Sequence, residues 1–237
     1  MKRALVIQHM DHDHPGRFTD WFAEDGIVPD FVRVFEGQEV PNLAPYDLMF
    51  VLGGEQDTWQ EDKYPYLKME KAAIREWVWD RAKPYLGVCL GHQLLATALG
   101  GEVGRAEEGE VGVFNVKLDD SNFFEGLPPE QQVMQWHHAE VKRIPQSSRI
   151  LASSPRCAVQ SLGIDGHALS TQFHCEFSPQ TVAGWSSLPN YVRALEREHG
   201  AGAYDQLKAE CFPLMPDMAR NTKTIWENFK RTSGLKT

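Results

Sequence analysis

Residues 84–99 read PYLGVCLGHQLLATAL, a stretch in which a short apolar strand runs directly into an apolar helix. The pattern predicts the strand over 84–88 and the helix over 90–99. Cys89 stands at the corner between them, flanked by Gly87 and Gly91. A sharp strand-to-helix turn that exposes a nucleophile needs such small neighbours. We therefore predict that the thiol of Cys89 projects into a crevice.

The local setting of Cys89 also favours a reactive thiolate. Unpaired backbone N–H groups and the positive end of the helix dipole lie at the first turn of a helix, and both stabilise a negative charge there. A free cysteine is also commonly a small buried hydrophobe. The flanking glycines and the partners of Cys89 farther along the chain decide in favour of the nucleophile.

Those partners lie in residues 168–177, ALSTQFHCEF, a strand-like run that ends at Ser178 and Pro179. Side chains two apart in a strand share a face, so Glu176 could hold the ring nitrogen of His174 that is distal to the thiol. Thiol, imidazole and carboxylate then form a Cys-His-Glu triad. A His-x-Glu pair alone is also typical of a solvated strand face. Cys175, between the two, is expected on the opposite face as a core thiol.

Three segments together resemble the class I glutamine amidotransferases: 50–54 (FVLGG), 87–93 (GVCLGHQ) and 172–176 (QFHCE). The resemblance covers roughly residues 1–188. It implies that Cys89 is the nucleophile, that His174 is the base and acid, and that Glu176 orients His174. It further implies an oxyanion hole formed by backbone N–H groups at Gly54 and Leu90. The substrate contacts that it implies are Gly53, Gln93, Gln135, Trp136 and His137.

Two positions depart from the pattern of that family. Cys175 stands where the family usually has proline, and Gly54 is followed by Glu55, Gln56 and Asp57 instead of a proline-containing loop. Neither change removes a catalytic group. We expect the loop at 55–57 to alter the rim of the pocket and hence the substrate.

Two histidine-rich stretches could suggest a metal site. The loop 9–16 carries His and Asp residues, but it lacks ligand pairs at helical spacing and is interpreted as a polar loop near the active-site rim. His137 and His138 are adjacent, which puts their rings on opposite faces of an extended chain and argues against joint coordination with Glu140. We predict no metal and no cofactor.

Strands and helices alternate over the first hundred residues, which predicts an α/β fold with a mostly parallel sheet and helices on both faces. Ligands gather at the carboxyl ends of strands in such sheets, where Gly53, Gly54 and Cys89 stand. Shorter β-like pieces predict a small antiparallel extension, and a helical segment closes the chain. The predicted strands are 3–8, 31–35, 47–52, 84–88, 111–118, 132–136, 149–152 and 158–162, and the predicted helices are 18–26, 66–81, 90–99, 191–198 and 217–231.

The predicted division is a catalytic domain over 1–188 and a helical extension over 189–237 packed on the same domain. The apolar residues of the last helix are expected to lie against the domain's own sheet, with a partner or dimer interface as the alternative. The aromatic residues Trp77, Trp79 and Tyr85 are expected in the core.

Composition excludes several classes of protein. The 237 residues are 42% hydrophobic, which suits one well-buried α/β domain. The 24 basic and 33 acidic residues give a formal charge of −9, which argues against a nucleic-acid surface. The four cysteines form no regular framework, and we find no signal or membrane-length segment. We expect a reduced, cytoplasmic protein without membrane association.

Three functions fit these features. The first is hydrolysis of the γ-amide of glutamine through a γ-glutamyl thioester on Cys89, which gives glutamate, and ammonia for a separate acceptor or synthetase partner. The second is hydrolysis or transfer of γ-glutamyl compounds, which needs more room for the leaving group. The third is a non-catalytic regulatory domain, which the intact triad disfavours. A small-molecule substrate is expected in the first two, and a homo-oligomer is an alternative to the synthetase partner.

Overall fold

The computed structural model describes residues 1–186 and 188–235. Its regular elements, in chain order, are β1 (Lys2–Gln8), α1 (Phe18–Glu24), β2 (Ile27–Arg33), β3 (Leu48–Val51), α2 (Tyr66–Arg75), β4 (Tyr85–Val88), α3 (Leu90–Ala98), β5 (Glu102–Leu118), β6 (Glu130–Arg143), β7 (Arg149–Ser153), β8 (Ser161–Ile164), β9 (Ala168–Thr171), α4 (Pro179–Ser186), α5 (Pro189–His199), α6 (Ala203–Cys211) and α7 (Met215–Ser233). A π-helical turn over Glu76–Asp80 extends α2.

All nine strands belong to one sheet in the order β2-β1-β3-β4-β9-β8-β7-β5-β6. The first five are mutually parallel, and the last four continue from β9 in antiparallel pairings. The predicted α/β class with an antiparallel extension is confirmed, and this extension contributes four strands. Because β3, β4 and β9 are parallel neighbours, the segments that follow them emerge at one edge of the sheet.

Side chains of the parallel strands alternate between two hydrophobic layers. Along β1, Val6 faces a layer that includes residues of α1 and α7, while Leu5 and Ile7 face a layer that includes residues of α2 and α3. These side chains are fully buried. Helices therefore cover both faces of the parallel half, as the continuous apolar strands predicted.

Strand β2 lies earlier in the chain than predicted. The prediction placed it at 31–35, whereas it spans Ile27–Arg33 and residues 34–36 form a 3₁₀ turn. β2 is an edge strand, and Val28 and Phe31 on it are 40% and 45% exposed. An edge strand needs no continuous apolar run, which is why hydrophobicity alone misplaced it. Strand β8 likewise begins at Ser161, three residues after the predicted start at 158.

One predicted core aromatic is on the surface. Trp77 and Tyr85 are fully buried, but Trp79 is 51% exposed. Successive residues of a helix point in different directions around its axis, so with Trp77 and Val78 facing the sheet, Trp79 turns toward solvent. The prediction for Trp79 was wrong because it counted aromatic residues without following the helix rotation.

Helix α7 packs on α1. The ring of Trp226 lies 5.6 Å from that of Phe18 and 5.5 Å from that of Phe22, and its indole N–H donates to Asp25 at 2.7 Å. Trp226 and Phe229 are fully buried. The apolar side of α7 thus contacts the chain's own core, while the domain boundary at 188 remains a prediction. Among the described helices, none is both long and apolar enough to cross a membrane.

Candidate active site

Cys89 occupies a strained turn between β4 and α3. Its backbone has φ 51° and ψ −104°, a conformation that residues with side chains rarely adopt. Hydrogen bonds hold the turn: the Cys89 N–H donates to the carbonyl of Thr171 at 2.8 Å, and the Gln93 N–H donates to the carbonyl of Cys89 at 3.2 Å. The predicted strand-to-helix elbow is therefore present.

The two glycines around Cys89 allow α3 to approach the sheet. A Cβ on Gly91 would overlap the carbonyl oxygen of Val51 and lie 3.0 Å from its carbonyl carbon. A Cβ on Gly87 would lie 2.9 Å from the carbonyl carbon of Gly91. These are backbone contacts that no side-chain adjustment can relieve, so both positions require glycine.

The sulfur of Cys89 has two polar neighbours besides the triad. Its S–H is 3.8 Å from the carbonyl oxygen of Trp136, and the side-chain N–H of Gln172 donates to it at 3.7 Å. Gln93 supports Gln172 by donating to its side-chain oxygen at 3.0 Å. Gln172 belongs to the quoted QFHCE segment, but no role was predicted for it.

His174 and Glu176 form the predicted pair, although the predicted strand does not reach them. Nδ1 of His174 lies 2.6 Å from Oε1 of Glu176. Strand β9 ends at Thr171, and both residues lie in the turn that follows, where the Phe177 N–H donates to the His174 carbonyl at 3.3 Å. Same-face alternation along a strand was therefore the wrong reason for this contact. Cys175 is buried in the core, as expected.

The surroundings of His174 favour its charged form. Burial by itself would lower its pKa, but the negative charges of Glu176 and Cys89, and the hydrogen bond with Glu176, raise the pKa of His174 well above the ordinary value. An imidazolium beside a sulfur is suited to donate a proton to a leaving group.

The loop after β3 runs beside Cys89 and His174. A Cβ placed on Gly53 would lie 3.6 Å from Cβ of Cys89 and 3.5 Å from Cε1 of His174. At Gly54, a Cβ would lie 2.9 Å from Cδ2 of Leu90. The two backbone groups predicted for the oxyanion hole, at Gly54 and Leu90, are thus brought together next to the nucleophile.

These groups border one cavity of about 530 Å³. Of the predicted site residues, those that line it are Gly54, Cys89, Leu90, Gln93, Trp136, His137 and His174. Glu55, Gln56 and Asp57 line it too, as expected for the rim loop. Gln135 does not: its side chain is fully buried and donates to Gln160 at 2.8 Å.

Asp13 also lines this cavity and had no predicted role. One of its oxygens is buried without a hydrogen-bond partner among the described residues. Burial raises the pKa of Asp13 to about 6, although the charges of His174 and His9 act in the opposite direction. The sequence signal was the polar loop 9–16, whose position at the rim was predicted without an individual residue being assigned.

Trp185 and Arg105 are two further cavity residues that the sequence did not single out. Trp185, on α4, packs edge-on to Trp136 and His174 with ring centroids 4.8 Å and 5.3 Å apart. Arg105, on β5, pairs with Asp57 at 3.4 Å. An isolated tryptophan or arginine carries no pattern that would have marked it in advance.

Glu110, His137 and Cys157 form a buried group whose potential ligand atoms lie within 4.8 Å of one another. His137 already uses both ring nitrogens, one 3.0 Å from the carbonyl oxygen of Ala139 and one 3.0 Å from Oε2 of Glu110. Burial raises the pKa of Cys157 to about 12, which keeps it a thiol. This chemistry is that of a hydrogen-bonded network supporting β6 more than that of a metal centre.

The sequence profile described as glutamine amidotransferase class-I matches residues 29–185. The chain is similar to the glutamine-hydrolyzing chain of the GMP synthase of Pyrococcus furiosus, with 38% identity over 112 residues that cover 46% of this chain and 59% of the relative. The match thus spans less than two thirds of that relative.

Two similarities extend over nearly the whole chain. Gamma-glutamyl peptidase 5 of Arabidopsis thaliana is 26% identical over 221 residues, covering 90% of this chain and 85% of the relative. The crystal structure of a glutamine amidotransferase from Thermotoga maritima superposes with a TM-score of 0.87 and 28% identity, covering 96% of this chain and 97% of that one.

Proposed function

We propose that this chain, which belongs to the class I glutamine amidotransferase family, hydrolyses the γ-amide of glutamine through a γ-glutamyl thioester on Cys89, releasing glutamate and ammonia. The observation that carries the proposal is the convergence on one cavity of Cys89 in its strained turn, the His174–Glu176 pair and the Gly53-Gly54 backbone. Nucleophile, proton donor and oxyanion donors are the parts that acyl transfer requires.

In the proposed reaction, the thiolate of Cys89 attacks the γ-carbonyl carbon, and the carbonyl oxygen becomes an oxyanion. Backbone N–H groups of Gly54 and Leu90 donate to that oxyanion. The imidazolium of His174 donates its proton to the leaving nitrogen as the C–N bond breaks, and ammonia departs. Glu176 keeps the ring oriented and stabilises its charge, as the carboxylate of a triad does.

A water molecule then completes the cycle. His174, now neutral, takes a proton from this water as the oxygen attacks the thioester carbonyl. When the tetrahedral intermediate collapses, the C–S bond breaks, glutamate forms and the thiolate of Cys89 is restored next to a protonated His174.

Glutamate release from glutamine by the purified protein tests the proposal, with the Cys89→Ala variant as the blank. The matched control is Cys211→Ala, because Cys211 is also a buried thiol but packs in the cluster around α6. We expect turnover by the wild type and the Cys211→Ala variant, and none by the Cys89→Ala variant. Equal glutamate release by the wild type and the Cys89→Ala variant, with or without an added synthetase, would refute the proposal.

A second candidate is hydrolysis or transfer of γ-glutamyl compounds. The similarity to gamma-glutamyl peptidase 5 covers 90% of this chain, whereas the similarity to the GMP synthase relative covers 46%. The cavity of about 530 Å³ also falls within the range of pockets that enclose drug-sized ligands. It therefore has room for a leaving group larger than ammonia.

Substrate preference separates the two candidates. A panel of γ-glutamyl dipeptides is assayed beside glutamine, with the same blank. Cleavage of dipeptides far faster than glutamine would favour the γ-glutamyl hydrolase. Slow cleavage of glutamine alone would favour an amidotransferase that delivers ammonia to a separate synthetase, and stimulation by that partner would follow.

A further inference from the structure

His9 is a buried histidine whose two ring nitrogens both contact acceptors. It follows β1 directly and is 1% exposed. Nδ1 lies 2.7 Å from the carbonyl oxygen of Gly53, and Nε2 lies 3.0 Å and 3.1 Å from the two oxygens of Glu70 on α2. A carbonyl and a carboxylate only accept hydrogen bonds, so both nitrogens of His9 carry protons and the ring is an imidazolium.

The charged groups around His9 support that protonation state. Burial alone would lower its pKa, but the charge and hydrogen bond of Glu70, the Gly53 carbonyl and the charge of Asp13 together raise the pKa above the ordinary value. The charge of Glu70 in turn reaches the phenols of Tyr66 and Tyr85. Removing Glu70's charge would leave burial as the dominant influence on His9.

The bond from His9 fixes the plane of one peptide. In a trans peptide the C=O and N–H groups point in opposite directions, and the described chain contains no cis peptide. Because the carbonyl of Gly53 points to His9, the N–H of Gly54 points away from His9. This peptide cannot easily shift, since a Cβ on Gly54 would already lie 2.7 Å from Cβ of His9.

We infer that His9 and Glu70 are positioning residues for the oxyanion hole: the buried pair holds the Gly53-Gly54 peptide so that the N–H of Gly54 is presented to the developing oxyanion. The inference rests on the proposed function. An imidazolium bonded to the carbonyl end of a peptide also polarises its N–H end, because linked hydrogen bonds strengthen one another. The donor is then both oriented and stronger before the substrate arrives, which is how such holes accelerate reactions.

Packing alone does not explain why this pair is buried. Removing two charges from water is expensive, and a well-packed apolar pair is often as stable as a buried ion pair. The pair links α2 to the loop after β3, across 61 residues of chain between its two members. Its effect should therefore be measurable in turnover as well as in stability.

Three variants test the inference with glutamine and γ-glutamyl dipeptides as probes. His9→Ala removes the donor to Gly53 and should lower kcat about 10²-fold, in the range found when one oxyanion donor is lost, with KM changed less than about threefold. His9→Asn keeps an amide N–H near the position of Nδ1 and should recover part of that loss. Unchanged kcat in His9→Ala, or a loss confined to KM, would overturn the inference.

Glu70→Gln keeps the size of the side chain but removes its charge. Without Glu70's charge, burial lowers the pKa of His9, so the ring loses its proton as the pH rises. The ratio of wild-type to variant kcat should therefore be small near pH 5.5 and grow toward pH 8, and taking the ratio cancels the titration of the triad that both proteins share. A ratio that stays constant with pH contradicts the inference.

The matched control is Asp25→Asn, which weakens a largely buried ion pair with Lys230 at 2.7 Å, away from the cavity. It should lower the melting temperature and leave kcat unchanged. A decrease in kcat equal to that of Glu70→Gln would mean that general destabilisation explains the effect.

Nitrogen NMR on histidine-labelled Cys89→Ala protein gives a readout that does not depend on turnover. Both ring nitrogens of His9 should carry protons at pH 7.5 with Glu70 present, and one should lose its proton in the Glu70→Gln background. An unprotonated ring nitrogen in the parent protein overturns the inference even if the enzyme is active. A wild type inactive on every probe, with or without an added synthetase, refutes the proposed function and with it the role inferred for His9.

Discussion

Asp13 is a carboxylate that the fold places at an energetic disadvantage. It lines the cavity, and one of its oxygens is buried without a hydrogen-bond partner among the described residues. Burial raises its pKa from 3.8 to about 6. A carboxyl group whose pKa is higher in the folded than in the unfolded protein favours folding below the unfolded pKa, and this advantage is lost as the pH rises through the folded pKa. Above pH 6 the ionised Asp13 therefore destabilises the protein.

Asp13→Asn should accordingly stabilise the protein at neutral pH. From the shift of the pKa we expect a gain of up to about 3 kcal/mol in the free energy of unfolding at pH 7.5, which shrinks to near zero at pH 4, where Asp13 is protonated in both states. Denaturant unfolding of both proteins at the two pH values measures this. Asp62→Asn, at an exposed aspartate, is the control and should change little at either pH. A variant less stable than the wild type at pH 7.5 would show that the charge of Asp13 is compensated in the folded protein.

At the scale of elements, the contact of α3 with β3 decides where the nucleophile stands. Gly91 in the first turn of α3 lies directly against the carbonyl of Val51. This close approach brings the end of β3, with Gly53 and Gly54, next to Cys89. A helix held farther from the sheet would separate the nucleophile from the proposed oxyanion donors.

Gly91→Ala should therefore disrupt the site. The added methyl group meets backbone atoms, so α3 must move, and we expect a loss of about 1–3 kcal/mol in stability and at least a tenfold loss in turnover. Gly184→Ala is the matched control, because a Cβ at that helical position would lie 3.7 Å from its nearest neighbour, an ordinary contact. That substitution should be neutral or slightly stabilising. Chemical denaturation and glutamate release measure both effects, and full activity in Gly91→Ala would contradict the account of the elbow.

At the scale of the whole molecule, the C-terminal segment completes the core. Helix α7 buries Trp226 against Phe18 and Phe22, and Thr222 donates to the carbonyl of Cys175, next to His174, at 2.9 Å. The segment after 188 thus contacts both the outer layer of the sheet and the turn that carries the proposed base. We propose that it is an integral part of the folded unit.

Trp226→Ala tests this integration. Truncation of a buried aromatic residue typically costs about 3–5 kcal/mol, so the unfolding midpoint in denaturant should fall markedly. Phe212→Ala, in the same C-terminal segment but at a side chain that is 46% exposed, should change the stability by less than about 0.5 kcal/mol. Equal, small effects of both substitutions would indicate that α7 is not part of the cooperative unit.

The sequence alone was sufficient for those features that local patterns encode. Continuous apolar runs predicted the parallel strands, and the glycines around Cys89 predicted the elbow, because a tight turn restricts which residues fit. The pairing of His174 with Glu176 was also predicted, although the chain reaches it through a turn after β9 and not along a strand. A spacing of two allows both arrangements, and hydrophobic alternation cannot distinguish them.

Only the tertiary structure decided which polar groups are buried together. His9 and Glu70 are 61 residues apart, and each by itself looks like an ordinary polar residue of a loop or helix. Asp13 and Trp185 reach the cavity from opposite ends of the catalytic region. Burial determines the charge state and the role of such groups, and burial depends on how distant segments pack. The sequence by itself therefore determined the fold class and the nucleophile, and the packing of α2, α4 and the loop after β1 decided the surroundings in which that nucleophile acts.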